Sequence, residues 1–365
     1  MSKVAFRADL KLATATLEAV DAAILKNAED GMRAHLGASL IGRPCSRALK
    51  YSFLWATKSN HSARLLRVFN RGHDEETRNN SLTKLLRNAG IQVMSVDPST
   101  GRQFAFKDGH FGGSLDGVAL GVPDAEKTWH LVEYKTSSLK MFNILESKGV
   151  QEAKPEHYAQ MQIYMLQMEL TRALYVAVCK DDDRLHMERI DFDADFAQSM
   201  VDKAQRIIAA ETPPDGISTD ATYYECKFCD HKDLCHGVSA PTVTCRSCAH
   251  STAVRDGTWS CAKTGNPDID LKLQKTGCAE HIILPALISR WATVVDANQE
   301  QNWVRYEIVG SGGAQFTNGN PESFGEHISS AEIYACQDKS ALTDTRVIEL
   351  RQQMVEQFPG TRIAA

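Results

Sequence analysis

Seven of the ten cysteines in this 365-residue chain fall between Cys226 and Cys278, and that clustering limits the fold more than any other feature. The N-terminus, Met1 to Asp30, alternates charged and apolar residues and lacks the apolar run of a secretory signal. An intracellular, reducing (cytoplasmic) setting is therefore expected. Disulfides are improbable there, and grouped thiols point first to metal or iron-sulfur ligation. Cys179, in the apolar run Ala173 to Cys179, and Cys336 stand apart as buried or incidental thiols. No stretch approaches the ~18 apolar residues of a membrane span. Hydrophobic residues at 43% and charged residues at 24% exclude a fibrous, collagen-like or wholly disordered chain.

The formal charge of -5 hides an asymmetry. Arg43, Arg47, Lys50, Lys58, Arg64, Arg67, Arg71, Arg78, Lys84 and Arg87 face only three acids in their stretch, a local balance of +7, which leaves about -12 elsewhere. A basic stretch on an acidic body suits phosphate tracking. On charge alone it equally suits a solvated helix face.

Apolar spacing predicts an N-terminal helix within residues 8–36 (Leu10, Leu17, Val20, Ile24) and a helical pattern from Arg47 to about Asn88, with breaks near Ser59 and at Gly72. Strands are expected at Ile91 to Val96, Gln103 to Lys107, Gly112 to Leu120 and Trp129 to Lys135, with a turn at Asp97 to Gly101. A helix at Lys154 to Leu170, strands at Ala173 to Cys179 and Leu185 to Ile190, and a helix at Phe196 to Ala210 complete an α/β or α+β layer architecture. Composition shifts at Thr212-Pro213-Pro214-Asp215-Gly216. The chain thus divides into 1–211, a Cys-rich stretch 212–283 and a small mixed α/β appendage 284–365. Within the appendage Trp303 to Val309 reads as a strand, Asn318-Gly319 as a turn and Ala341 to Phe358 as a helix.

Acids occur in three segments where a metal site could use them: His73-Asp74-Glu75-Glu76, Asp116 after the Gly112-Gly113 pair, and Glu133-Tyr134-Lys135. Two apart on a strand, Glu133 and Lys135 emerge on one face. A carboxylate beside an amine makes a poor core. It makes sense where the carboxylate binds a hard cation and the amine orients a water or stabilises developing charge. The two glycines ahead of Asp116 admit close backbone approach, as by a nucleic-acid strand.

The order Gly72-x-x-x-Glu76, Asp116, Glu133-x-Lys135, then Gln160-x-x-x-Tyr164 resembles the PD-(D/E)XK nucleases of the RecB type, over roughly the first 210 residues. The resemblance implies an α/β restriction-endonuclease-like core, a central mixed sheet flanked by helices, occupying 1–211 behind an N-terminal helical region. It further implies that Asp116 and Glu133 bind Mg²⁺ or Mn²⁺, that Lys135 is catalytic, and that Glu76 or His73 completes the metal shell. Which of the neighbouring acids faces the metal stays open. Gln160 and Tyr164, four apart on one helix face, would contact DNA or steady the site. Arg43, Arg47, Arg64, Arg67, Arg71 and Arg78 would lie along the phosphate backbone.

Cys226-x2-Cys229-x5-Cys235 supplies three thiolates, one short of a closed site. The segment Arg43 to Tyr51 is similar to the opening cysteine segment of iron-sulfur nucleases in the RecB group, the CRISPR-associated exonucleases among them. That similarity implies a [4Fe-4S] cluster on Cys45, Cys226, Cys229 and Cys235, closing a loop of about 180 residues. A local zinc site with His231 or His236 is the alternative. A second group, Cys245-x2-Cys248-x12-Cys261-x16-Cys278, suits a structural zinc. Cys278 or His281 is its fourth ligand, and partly free thiols are the alternative. The function these readings imply is a metal-dependent DNA exonuclease acting on ends or single strands in recombination, repair or DNA processing, with recombination or replication proteins as partners. A non-catalytic DNA-binding or scaffold protein that keeps fold and clusters is the other reading.

Overall fold

The computed structural model describes residues 13–59, 61–77, 81–123, 125–236 and 239–335. Arg78, Cys336, the helix expected at Ala341 to Phe358 and the side chain of Glu76 lie outside the described residues.

Among the described residues five helices precede the central sheet, the first four being α1 (Thr14–Lys26), the single turn α2 (Ala38–Ile41), α3 (Ser46–Phe53) and α4 (Ala63–Thr77). A two-residue strand β1 (Leu36–Gly37) sits between the first two, and α5 (Leu82–Asn88) follows α4. Gly72 lies inside α4, so the break expected there does not occur. Nothing stands near its missing side chain, and a solvent-facing glycine weakens a helix without ending it. Next come β2 (Gln92–Met94), β3 (Ala105–Asp108), β4 (Phe111–Ser114), β5 (Gly117–Leu120) and β6 (His130–Ser137). Two helices, α6 (Leu139–Ala153) and α7 (Pro155–Gln167), cross over to β7 (Arg172–Cys179), followed by β8 (Leu185–Asp191) and α8 (Ala194–Ala209).

The central sheet has the order β2-β5-β6-β7-β8. Its β6/β7 pair is parallel and the other neighbours are antiparallel. Parallel neighbours need a long crossover, and α6 with α7 supplies it; α6 has no counterpart in the sequence reading. Alternation along the paired strands sorts side chains between two cores. Val132, Tyr134, Leu174 and Val176 pack with Leu82 and Leu86 of α5 on one face. Leu131, Ala173, Tyr175 and Ala177 join Met161 and Tyr164 of α7 on the other. The mixed sheet flanked by helices is the expected class.

Gly112 to Leu120 is two strands. Chain direction changes at Leu115-Asp116, after which β5 joins the central sheet, whereas β4 pairs with β1 and β3 in a small separate sheet. The two glycines are also explained differently. A side chain at Gly112 would stand 3.0 Å from the Phe106 carbonyl oxygen and 3.1 Å from the His35 ring, and one at Gly113 2.7 Å from Tyr164 Oη. Their bareness admits the protein's own His35 and Tyr164, leaving no room there for a nucleic-acid strand.

Downstream come α9 (Tyr224–Lys227), α10 (Lys232–Cys235), the hairpin β9 (Ser251–Ala253) and β10 (Trp259–Cys261), and α11 (Leu271–Thr276). Trp259, Ile269 and Leu287 share one apolar cluster with Leu36 and Phe53. Arg246, 2% exposed, stitches the join. It donates to the carbonyls of Ala34 (2.8 Å) and Phe53 (3.3 Å) and to Gln274 Oε1 (3.0 Å), and its guanidinium lies 3.6 Å from the Trp55 ring centre. A three-stranded antiparallel sheet, β11 (Ala292–Asn298), β12 (Trp303–Ile308) and β13 (Gln315–Gly319), is followed by α12 (Ser330–Ala335). Asn318-Gly319 closes β13 and forms no turn. The buried Asn318 amide accepts from the Ile283 N–H (2.8 Å) and donates to the Ile328 carbonyl (3.0 Å), which holds it in the strand.

Close approach at Gly42 seats α7. A side chain there would fall 2.6 Å from Glu156 Cα and 3.1 Å from Ala159 Cβ. Gly42→Ala is expected to destabilise the protein by about 1–3 kcal/mol through overpacking, read as a lowered thermal midpoint; an unchanged midpoint would refute the close-packing account.

Candidate active site

The sheet geometry brings Asp116 to Glu133. Strand β5 begins at Gly117, opposite Val132, so the Tyr134 N–H lies just past the end of the β5 ladder. Asp116, in the break before β5, accepts that N–H through Oδ2 at 2.8 Å. A carboxylate is thereby fixed beside the residue that follows Glu133. Glu133 is fully buried and Lys135, on the same face, forms an ion pair with it. Burial raises the Asp116 carboxyl above its ordinary range, against the opposing pull of Lys135, the Tyr134 N–H and His73. Those causes put Lys135 and His73 within electrostatic reach of Asp116.

Helix α7 closes the site from the other side. Gln160 Nε2 lies 3.5 Å from Tyr164 Oη, and the Tyr164 phenol is raised by burial and then by Glu133 and Asp116. Asp116, Glu133, Lys135, His73, Gln160 and Tyr164 therefore gather at one place. Of the residues about which the sequence was ambiguous, His73 and Glu75 face a groove of about 1380 Å³ that Lys135 also lines.

That groove is lined by Arg33, Arg43, Lys135 and Lys154, together with His35 and His157. Only Arg43 among these belongs to the basic stretch read from the sequence. Arg47 is committed elsewhere: it donates to the Pro214 carbonyl (2.7 Å) and pairs with Asp215 (3.5 Å). Lys50 is buried, donates to the Ile208 carbonyl (3.1 Å) and is pushed down to about 8 by burial. Arg67 pairs with Asp21, and Arg71 donates to the Lys180 carbonyl (3.1 Å). Arg64 is exposed. Arg33, Lys154 and His157 are the residues sequence reading missed. The signal for His157 was its place three residues before Gln160, one turn earlier on the same helix face.

Cys45, Cys226, Cys229 and Cys235 line one cavity of about 300 Å³ with His231 and His236. Burial raises the Cys226 and Cys229 thiols, and Cys45 and Cys235 add to the shift of each. His231 is engaged away from the thiols, with Nε2 2.8 Å from Ser52 Oγ and Nδ1 2.6 Å from Thr57 Oγ1. Cys245, Cys248, Cys261 and Cys278 line a second, smaller cavity of about 20 Å³. Burial, then Cys278, Cys248 and Cys261, push Cys245 up to about 11. His281 Nε2 lies 3.0 Å from the Thr244 carbonyl and 3.2 Å from Ser247 Oγ. Among the described residues, no three histidine, cysteine, aspartate or glutamate side chains are gathered closely enough to hold a metal ion as they stand.

A mixed sheet with two acids and a lysine meeting at the break of one strand and the middle of the next defines a nuclease-like core. Residues 11–236 match the PD-(D/E)XK nuclease superfamily, and the chain belongs to that superfamily. No curated protein matches it. Among solved structures it is similar to LHK-Exo in complex with dAMP, at 20% identity over 53% of this chain and 91% of that one, with a TM-score of 0.35. An alkaline exonuclease (LHK-Exo) from Laribacter hongkongensis gives 18%, 53%, 91% and 0.34 by the same measures. SSO0001 gives 17%, 61%, 94% and 0.35.

Two histidines, His157 lining the groove and His110 packed against Phe53 and Trp259, make the fold acid-sensitive. Burial, then Arg246, lowers His110 from 6.5 to about 4, where its ring stands 5.3 Å from Phe53 and 5.5 Å from Trp259. Burial, then Lys135 and Lys154, lowers His157 from 6.5 to about 3. The unfolded chain takes up these protons below about pH 6.5 and the folded chain does not. Stability is therefore complete above pH 6.5 and falls as the pH drops toward 4. Thermal melts should show a level midpoint from pH 7 to 8 and a falling one from 6.5 to 4.5; a midpoint level down to 4.5 contradicts the assignment.

Proposed function

We propose that this protein is a Mg²⁺- or Mn²⁺-dependent deoxyribonuclease, an exonuclease acting on DNA ends or single strands in recombination, repair or DNA processing. The observation that supports it most is the meeting of Asp116, Glu133 and Lys135 beside a groove lined by Arg33, Arg43 and Lys154. Two carboxylates are hard oxygen donors suited to a divalent cation, and Asp116 and Glu133 would hold it, with His73, Glu75 or Glu76 completing the shell. A bound cation of this kind supplies charge stabilisation for the phosphate and an acidified water. Lys135 keeps its ammonium where negative charge builds on the phosphate. Tyr164, in contact with Gln160 and close to both carboxylates, packs on Gly113 and fixes the side of the site that α7 forms. Arg33, Arg43 and Lys154 bind the phosphate backbone, which makes affinity fall with salt. The reading places the protein in an intracellular, reducing setting beside recombination or replication proteins; no described helix is long and apolar enough to cross a membrane.

The thiols fit two further groups. Cys45, Cys226, Cys229 and Cys235 surround a roomy cavity whose soft donors suit a [4Fe-4S] cluster. Cys245, Cys248, Cys261 and Cys278 surround a space of single-ion size that suits Zn²⁺. Cys278 and His281 both line that space; the His281 Nε2 is engaged by Thr244 and Ser247 while its buried Nδ1 has no hydrogen-bond partner among the described residues, so either residue suits the fourth position.

Asp116→Asn keeps an acceptor for the Tyr134 N–H while removing the charge, and it should cut Mg²⁺-dependent release of nucleotides from end-labelled DNA at least about a hundredfold. Lys135→Ala should do the same, with circular dichroism of both variants unchanged. Undiminished cleavage in both removes the proposal. Protein purified without oxygen should be brown and contain more iron than zinc, and Cys45→Ser should lose the colour and lower the thermal midpoint; a colourless protein with two zincs reassigns the first thiol group.

A further inference from the structure

One side chain lining the groove has a hydrogen bond that fixes one of its ring nitrogens. Lys154 and Pro155 open helix α7, so His157 sits on its first turn, with Gln160 and Tyr164 three and seven residues on. That spacing lays all three along one helix face. The His157 ring stacks on Tyr175, with centroids 5.8 Å apart and planes 30° apart, and Nδ1 stands 2.9 Å from Tyr175 Oη. Tyr175 is the direct β7 neighbour of Glu133 on β6. The ring lines the groove together with Lys135 and Lys154.

We infer that His157 is a phosphate-contacting residue of the hydrolytic site, donating a hydrogen bond from Nε2–H to a non-bridging oxygen of the phosphodiester under attack. Two observations carry this beyond a packing role. Among the described residues, His157 Nδ1 is the hydrogen-bond partner of the buried Tyr175 hydroxyl. A phenol is a far better donor than acceptor towards imidazole, so Tyr175 Oη–H occupies Nδ1 and leaves the proton on Nε2. That tautomer leaves Nε2–H as the ring's remaining donor, on a residue that lines the groove. The second observation is charge. Burial and the ammonium groups of Lys135 and Lys154 hold the ring neutral, down to about 3. A neutral donor flanked by two cations is suited to a polyanionic oxygen: it adds a directional hydrogen bond without raising the cost of packing a third positive charge there. No proton leaves the ring during the step; it binds and orients.

The inference rests on the nuclease reading, and the experiment separates the two. Full-length wild type, Asp116→Asn, Tyr175→Phe and His157→Ala, →Leu and →Gln are assayed on end-labelled single- and double-stranded DNA with Mg²⁺ and with Mn²⁺, and thermal midpoints are recorded for each. Loss of a hydrogen bond to a charged oxygen should lower kcat about 10- to 100-fold in His157→Ala and His157→Leu. KM should stay within about threefold of wild type, because the bond strengthens as charge accumulates on the phosphate. His157→Gln, whose amide is also a neutral donor, should recover most of the loss. Tyr175→Phe should give a partial kcat defect by releasing the tautomer. A purely structural His157 would give Gln and Leu variants that track their melting points. If wild type and Asp116→Asn behave as proposed while His157→Leu cuts at the wild-type rate, or His157→Gln is as slow as His157→Leu, this inference alone falls. A wild type with no metal-dependent cleavage removes the nuclease reading, and the role of His157 with it.

Discussion

Everything about this molecule turns on a carboxylate held at zero exposure in the middle of its central strand. Removing a charge from water costs several kcal/mol even after relaxation, and a protein tolerates it only where opposite charge and hydrogen bonds answer it. Here Glu133 meets Lys135 two residues on along the same face, and the break between β4 and β5 sets Asp116 onto the next peptide N–H. Burial lifts the Asp116 carboxyl as well, against the opposing pull of Lys135, the Tyr134 N–H and His73. Such an arrangement is stable in proportion to the positive charge it collects. The same deficit that would weaken a packed core would be answered by a divalent cation, so the burial of these acids and the proposed chemistry share one cause.

Much of this was legible in the amino-acid order. Glu133-x-Lys135 on a strand dictates a shared face, and Gln160-x-x-x-Tyr164 dictates one helix stripe; both follow from the repeat of the element alone. The grouping of Cys226, Cys229 and Cys235 was legible from their closeness in the chain, and Cys45, about 180 residues earlier, lines the same cavity. What the order hides are contacts between distant segments. Gly112-Gly113 looked like an opening for a ligand, whereas His35 and Tyr164, far away in the chain, fill the space. Gly112 to Leu120 reads as one strand although it carries Ser114 and Asp116, and only the competing partners, β1 for one half and β6 for the other, divide it.

The basic stretch shows why charge counted along a chain overstates what a ligand meets. Arg47, Lys50 and Arg87 are long enough to reach backbone carbonyls, and each donates to one, at Pro214, Ile208 and Val93. Carbonyls at a helix end, in a loop and on an edge strand lack partners of their own, and a flexible cation satisfies them. Of the cations that line the groove, Arg43 alone comes from that stretch; Arg33, Lys135 and Lys154 come from other parts of the chain, and only the fold assembles them.

The first thiol cavity and the groove share lining residues. Arg43, Asp230 and His231 line both the first thiol cavity and the groove, so the wall between them is a single layer of side chains. From the second thiol group Arg246, set between Cys245 and Cys248, reaches the carbonyl of Ala34, next to the groove-lining His35. Closing a loop of about 180 residues through Cys45 costs the unfolded chain much of its freedom, and a ligand that bridges those thiols returns that cost as folding stability. A cluster placed there therefore acts on the position of the groove wall without touching the phosphate. It follows that loss of the first thiol group should weaken the groove's grip on DNA through Arg43 and His231 while leaving the contact of Asp116 with the Tyr134 N–H, which is made entirely within the central sheet, in place.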